Sequence, residues 1–174
     1  MEIKVESTYD YDANKKFARF FIFRGKYYKV KRIISFIILI LFTAFCAYYS
    51  MKFDEIKHIN FCVLCFVWFV NIYIYFIRPK SNYKKNKFKN VLNTFIFKED
   101  SITISSLGNG INGSSDISYS SIRKIFETDD AFYIFISANQ AFLINKKNND
   151  KITINDLRNL LSSKLPPKKY IICN

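Results

Sequence analysis

Histidine occurs once, glycine four times and cysteine four times in this chain of 174 residues, and acids are outnumbered by bases, 14 against 27. Each shortage removes a class of chemistry. The lone imidazole, His58, even taken with Cys62 and Cys65, lacks a fourth ligand of plausible spacing for zinc. Gly108, Gly110 and Gly113 fall together in one turn between strands, so no glycine-rich loop leads from a strand into a helix to cradle phosphate. No nucleophile, base and orienting acid stand in a recognisable pattern. The expectation is a protein without metal, cofactor or catalytic residues, and not an enzyme. The most telling absence is in two stretches, Ile33–Met51 and Ile59–Ile77, neither of which holds an Asp, Glu, Lys, Arg or His.

Each stretch is 19 residues long, about 28 Å as a helix, close to the hydrocarbon thickness of a bilayer. Helices of a soluble bundle would carry polar positions every few residues on the solvent face. The stretches therefore read as transmembrane helices. Arg24, Lys26, Lys29, Lys31 and Arg32 precede the first, and Arg78, Lys80, Lys84, Lys85, Lys87 and Lys89 follow the second with no acid among residues 78–90. Residues 52–58 between them balance Lys52 and Lys57 against Asp54 and Glu55. Positive residues stay on the cytoplasmic side, so both termini are expected there and the short outer loop makes an antiparallel hairpin. Tyr48 and Tyr49 at the outer end, and Tyr27, Tyr28, Tyr73 and Tyr75 at the inner ends, suit interfacial positions. The first stretch starts too late and runs too long for a cleaved signal peptide, and Phe45 is too bulky for a lipoprotein cleavage site before Cys46.

The net charge of +13 raises the possibility of nucleic-acid binding. Its distribution argues otherwise. Residues 1–32 carry nine bases and four acids, residues 78–90 six bases and none, and residues 91–174 ten bases and eight acids. Because AT-rich codons alone inflate lysine, position counts for more than number, and the excess hugs the apolar stretches. It suits retention inside and attraction to anionic lipid, not a DNA groove.

From Val91 onward the pattern changes to short β-rich runs. Val91–Phe97, Ser101–Ser105, Ser115–Tyr119, Arg123–Thr128, Ala131–Ser137 and Ala141–Asn145 are expected strands, with turns at 98–100, 108–113, 129–130 and 138–140. Ile102 and Ile104, and Phe132, Ile134 and Ile136, alternate as in half-buried strands. A helix is expected to start near Thr153, with Thr153 and Asp156 as an approximate capping box and Ile154, Leu157, Leu160 and Leu161 as its apolar face. Glu2–Ser7 alternates too and would add a seventh strand across the hairpin. Tyr11–Tyr28 reads as a helix with Phe17, Phe20 and Phe21 on one stripe and Lys15, Lys16, Arg19 and Lys26 beside it. It can lie in the membrane interface, pack on the sheet or extend the first membrane helix.

Phe97-Lys98-Glu99-Asp100-Ser101-Ile102, the run Ile117 to Ile125, and Phe132-Tyr133-Ile134 followed by Ala141 to Lys146 carry a family likeness. Together with the strand, aromatic helix and paired apolar stretches, they resemble the YcxB-like membrane proteins of bacteria over nearly the whole chain. The family tends to place Pro before the last lysine where this chain has Asn145, so the strand exit is expected to differ. The resemblance implies a C-terminal region similar to bacterial pleckstrin-homology-like (PH-like) domains, which are binding modules. It implies no reaction.

Three residue sets remain. Cys62 and Cys65 form a CxxC, and a membrane thiol oxidoreductase is conceivable, but cysteines at i and i+3 on an apolar helix are more often small packing residues. Asn71 needs an amide partner inside the bilayer, found in local packing, a second copy or a foreign helix. Lys29, Lys31, Arg32, Arg78, Lys80, Lys84, Lys85, Lys87 and Lys89 serve topology, or contact anionic lipid or an acidic partner as well. The resulting expectation is an α+β protein of the bacterial inner membrane. Residues 1–32 give strand and amphipathic helix, 33–51 and 59–77 the hairpin around loop 52–58, 78–90 a basic linker, and 91–174 a PH-like antiparallel sheet or barrel closed by a C-terminal helix. Its expected role is to bind or regulate another membrane protein or a membrane-active agent, toxin or bacteriocin immunity being one form. A subunit of an oligomeric transporter is the other alternative to redox, since two helices enclose no pathway alone. The expected partners are the bilayer, a membrane protein or toxin, and a second copy, but not nucleic acid.

Overall fold

The computed structural model describes residues 2–53, 57–86, 89–108 and 110–173. In chain order the elements are β1 (Ile3–Thr8), α1 (Tyr11–Phe23), α2 (Tyr28–Lys52) and α3 (Lys57–Ile72). A π-helical turn (Tyr73–Ile77) then leads into α4 (Arg78–Lys85). The rest is β2 (Leu92–Phe97), β3 (Ser101–Gly108), β4 (Ile111–Ser118), β5 (Lys124–Glu127), β6 (Ala131–Phe135), β7 (Ala141–Asn145), α5 (Lys151–Lys164) and β8 (Tyr170–Ile172).

The hairpin is longer than its apolar stretches. The helix from Lys57 runs through to Lys85, so the basic stretch expected as a linker is helical to that point. Lys and Arg are good helix formers, which explains the continuation. Pro79 explains its irregularity: proline offers no N–H to the Tyr75 carbonyl four residues back and its ring collides with it, and the preceding turn opens into the π form. Only 11% and 6% of the most apolar windows of the two helices are buried in the protein. That excludes a role as core helices, and both are long and apolar enough to cross a membrane. Of the expected outer loop, residues 54–56 lie outside the described residues.

Two four-stranded sheets follow, in the orders β1-β2-β3-β4 and β7-β6-β5-β8. The N-terminal strand joins the first sheet as expected: β1 pairs antiparallel with β2, from Ile3 opposite Phe97 to Thr8 opposite Leu92. The barrel expectation needs correction, because no closed barrel forms. Edges β1 and β7 meet through side chains instead of a ladder. The Asn145 N–H donates to buried Ser7 Oγ (3.0 Å), and the Asn149 amide both accepts from Glu6 N–H (2.9 Å) and donates to Glu6 C=O (2.8 Å). Those side chains satisfy edge groups that a ladder would otherwise pair.

One core lies between the sheets and under α5, with Phe95, Phe97, Ile125, Phe132, Ile144, Leu157 and Leu161 fully buried. A second lies between α1 and the outer face of the second sheet. Strand β6 is thus buried at all five positions. The expected half-buried alternation fails there because α1 covers the face meant for water.

Several expected boundaries shift. Strand β3 runs to Gly108 and β4 starts at Ile111, since Gly110 (φ +75°) allows a tight reversal in place of a six-residue loop. Helix α5 is capped by Asp150, whose carboxylate accepts from Thr153 N–H (2.7 Å), so Thr153 is inside the helix and not its cap. After β7, Asn145 caps a short 3-10 turn by accepting from Lys147 N–H (3.1 Å).

Candidate functional site

Helix α1 sets the geometry between hairpin and domain. Asp10 caps it through Ala13 N–H (2.7 Å), and Gly25 (φ +135°) breaks the chain before α2. Phe20 stacks on Tyr133 (4.6 Å between ring centroids) and Phe17 lies beside the same ring (5.3 Å). Of the three readings open for this helix, packing on the sheet is the one found. Two strand turns then reach the start of the hairpin: Asp129 accepts from Lys29 Nζ (2.6 Å), Asp130 pairs with Lys16 (3.2 Å), and Ala138 C=O accepts from Arg24 (2.8 Å).

Ser35, Leu39, Thr43, Cys46 and Ser50 on α2 and Asn60, Leu64, Val67, Val70 and Asn71 on α3 are among the less exposed positions of the two long helices. Small and hydroxyl side chains let such helices approach closely. Trp68 Nε1 donates to Thr43 Oγ1 and Asn60 Nδ2 to Ser50 Oγ, both at 3.2 Å. Asn71 donates within its own helix, to Val67 C=O (2.9 Å). Cys62 and Cys65 are exposed, Cys46 and Cys173 buried, and all four thiols are free.

The basic residues expected to act together are spread out. Lys29 is held by Asp129. Lys31, Arg78, Lys80, Lys84, Lys85 and Lys89 are exposed, Arg32 is half-buried, and Lys87 lies outside the described residues. Arg19 and Arg32 both act electrostatically on Tyr75 in the π turn, and Arg19 Nε is buried without a hydrogen-bond partner among the described residues.

Sequence reading missed a buried carboxylate. Glu127, 3% exposed at the end of β5, accepts from Lys146 Nζ (2.7 Å), Arg158 Nη2 (2.6 Å) and Nε (2.9 Å), and the Tyr170 hydroxyl. Burial pushes its carboxyl up, but the bonds from Arg158, Lys146 and Tyr170 outweigh that and hold it below the ordinary range. Burial and the same carboxylate push Tyr170 up strongly. The cluster ties β5 to α5, β8 and the exit of β7. Lys146 Nζ donates as well to Thr128 C=O (2.6 Å) and Arg158 Nη1 to Asn155 Oδ1 (2.8 Å), so both cations are held by several acceptors, which marks a structural tie. The signal was weak: Glu127 closes a four-residue strand that β8, itself unforeseen, flanks in parallel. Among the described residues, no three His, Cys, Asp or Glu side chains come together to hold a metal.

Sequence reading also missed a groove beside α1. Two hollows of about 580 and 400 Å³ share Tyr9, Phe17, Asn86 and Asn139. The first reaches the hairpin at Ile74 and Arg78, beside Ile22 of α1; the second runs to Phe95 and Phe142. Asn14 on its wall is fixed by donating to Pro79 C=O (2.9 Å) and accepting from the Tyr9 hydroxyl (2.6 Å). Arg78 is the charged residue lining the groove, and no carboxylate among the described residues lines it.

Residues 97–161 match a family model described as YcxB-like protein, the family that the sequence resembles. The match runs from the end of β2 into α5 and leaves out β1, α1 and the hairpin. No curated protein and no solved structure matches the chain.

Proposed function

With residues 97–161 matching the YcxB-like family, we propose that this is a non-enzymatic integral membrane protein of the bacterial inner membrane. Its helical hairpin crosses the bilayer with both termini cytoplasmic. Its PH-like domain binds or regulates another membrane protein or a membrane-active agent. The observation that carries this reading is the β1–β2 ladder. Strand β1 precedes the hairpin and β2 follows it, so both ends of the hairpin must emerge on one side. The surplus of bases beside those ends supports the cytoplasmic side. Two sheets packed with a helix over one core support a binding module.

Such a module differs from a tethered one. Lys29, Arg24 and α1 join hairpin and domain, so a partner that shifts α2 against α3 also strains α1 and β1. This is the mechanical basis proposed for regulation. Crosslinking in native membranes followed by mass spectrometry tests it. A membrane protein or membrane-active agent crosslinked to the chain is expected, and a toxin among the products would give the immunity form. Crosslinks confined to lipid and to the chain's own residues would overturn the reading.

A further inference from the structure

We infer that the groove beside α1 is a binding site for an anionic phospholipid of the cytoplasmic leaflet. The phosphate would sit at Arg78 and an acyl chain would run past Phe17 toward Phe142. The inference rests on the membrane placement proposed above and assigns a ligand that the placement does not require.

Size comes first. Hollows of about 580 and 400 Å³ are within the roughly 300–1,000 Å³ of small-molecule sites. Their polarity is graded. The far end is apolar at Phe95, Phe142 and Leu143 with only uncharged polar neighbours, Asn93, Ser106 and Gln140, whereas the hairpin end combines Ile22 and Ile74 with the guanidinium of Arg78 and the amide of Asn82. That is the pattern of an amphiphile. A soluble anion would leave the apolar length unfilled, and a neutral hydrocarbon would leave Arg78 unanswered.

The sign of the charge is equally defined. No acid among the described residues lines either hollow, Arg78 does, and Arg19 and Arg32 add positive potential around Tyr75, the residue after Ile74. Basic pockets on the cytoplasmic side of membrane helices attract anionic head groups. Entry is lateral. Ile74 belongs to the π turn that ends the apolar part of the second helix, and Ile22 is exposed beside it, so a lipid need not leave the bilayer to place one chain in the groove. An extended peptide is disfavoured because the mouth opens at the helices and not at a free strand edge: β7 is bridged to β1.

The test uses the full chain in vesicles of equal parts phosphatidylglycerol and phosphatidylcholine. One form carries Phe142→p-benzoylphenylalanine, in the groove; a second carries Phe66→p-benzoylphenylalanine, on the outward face of α3 (68% exposed). On irradiation the groove probe is expected to yield a phosphatidylglycerol adduct, several-fold reduced by Arg78→Gln or by Ala18→Trp, which fills the groove from α1. Soluble glycerol phosphate is expected not to compete. The outer probe is expected to capture both lipids, unchanged by either variant, which also reports that the variants insert, while an unchanged tyrosine near-UV circular dichroism spectrum reports that the domain still folds. A groove adduct with no preference for phosphatidylglycerol, one indifferent to both variants, or no lipid adduct at position 142 would overturn the inference. If the outer probe captures lipid while the groove probe does not, the groove assignment alone fails. If neither does, the membrane reading fails with it.

Discussion

Replacing Glu127 by Gln should destabilise the two-sheet domain far more than its near-identical shape suggests. The native carboxylate side chain is 4% exposed and answers two cations, Lys146 at 2.7 Å and Arg158 at 2.6 Å, besides Tyr170. An amide turns N–H donors toward those donors and leaves Lys146, itself only 15% exposed, without a counter-charge. Removing one partner of a buried ion pair costs roughly 3–5 kcal/mol. Arg158, at 39% exposure, can rotate into water, which places the loss near the lower bound, about 3 kcal/mol. For a domain of this size each kcal/mol shifts the melting midpoint by roughly 4–8 °C, so a fall of about 12–24 °C is expected. The sign with pH follows from the same geometry. The folded carboxyl titrates below its unfolded value, so its contribution is complete above about 4.3 and is lost as pH falls through the folded value. The gap between wild type and Glu127→Gln should therefore be wide at neutral pH and narrow in acid. Thermal melts of the full chain in mild detergent, followed by tyrosine near-UV circular dichroism, read both, because Trp68 lies on the hairpin and does not report this domain. A shift under about 4 °C, less than 1 kcal/mol on the same scale, or a gap that does not change with pH, would refute the argument.

Phe20→Ala should cost roughly 3–5 kcal/mol, since this fully buried ring packs on Tyr133, Phe126 and Tyr28; proteolysis after Lys15, Lys16 or Arg19 should quicken with it, and unchanged cleavage would count against the α1 packing. Asp129→Asn removes the exposed pair with Lys29 and should change stability by only about 0.2–1 kcal/mol, an effect that added salt erases; a salt-independent loss in denaturant titrations would show another role. Cys173, pushed up to about 11 by burial and then by the Glu127 charge, should resist maleimide at pH 8 until the domain unfolds. Peptide mass spectrometry after labelling checks this, and rapid native labelling would contradict the burial.

Much of the fold could be read along the chain because the signals were local. Two uncharged runs needed only composition, and six strands needed only alternation and turn residues. The boundaries that moved did so through tertiary contacts or single residues with special geometry. Pro79 opened the π turn, Gly110 tightened a hairpin, and Asp150 displaced Thr153 as the cap of α5. The parallel strand Tyr170–Ile172 escaped notice because three residues carry no period, and it exists only because β5 lies beside it.

The candidate site was less legible, and the reason is distance along the chain. Arg78 stood out as one of six bases among residues 78–90, yet its pairing with Phe17, Asn139 and Phe142 in one groove depends on α1 folding back over the second sheet. Glu127 looked like any strand-end acid until Lys146, Arg158 and Tyr170 arrived from three other elements. Asn71, chosen as the polar residue most in need of a partner, finds one a turn away within α3.

By itself, the sequence determined the two long apolar helices, the positive margins beside them, and the alternating strands, since each follows from the chemistry of neighbouring residues. Tertiary structure alone decided that β2 is the strand β1 pairs with, that the edges of the two sheets are bridged by side chains without closing a barrel, and that a buried acid and an amphiphilic groove exist. Those features join residues up to 143 positions apart, and only folding brings such residues within reach of one another.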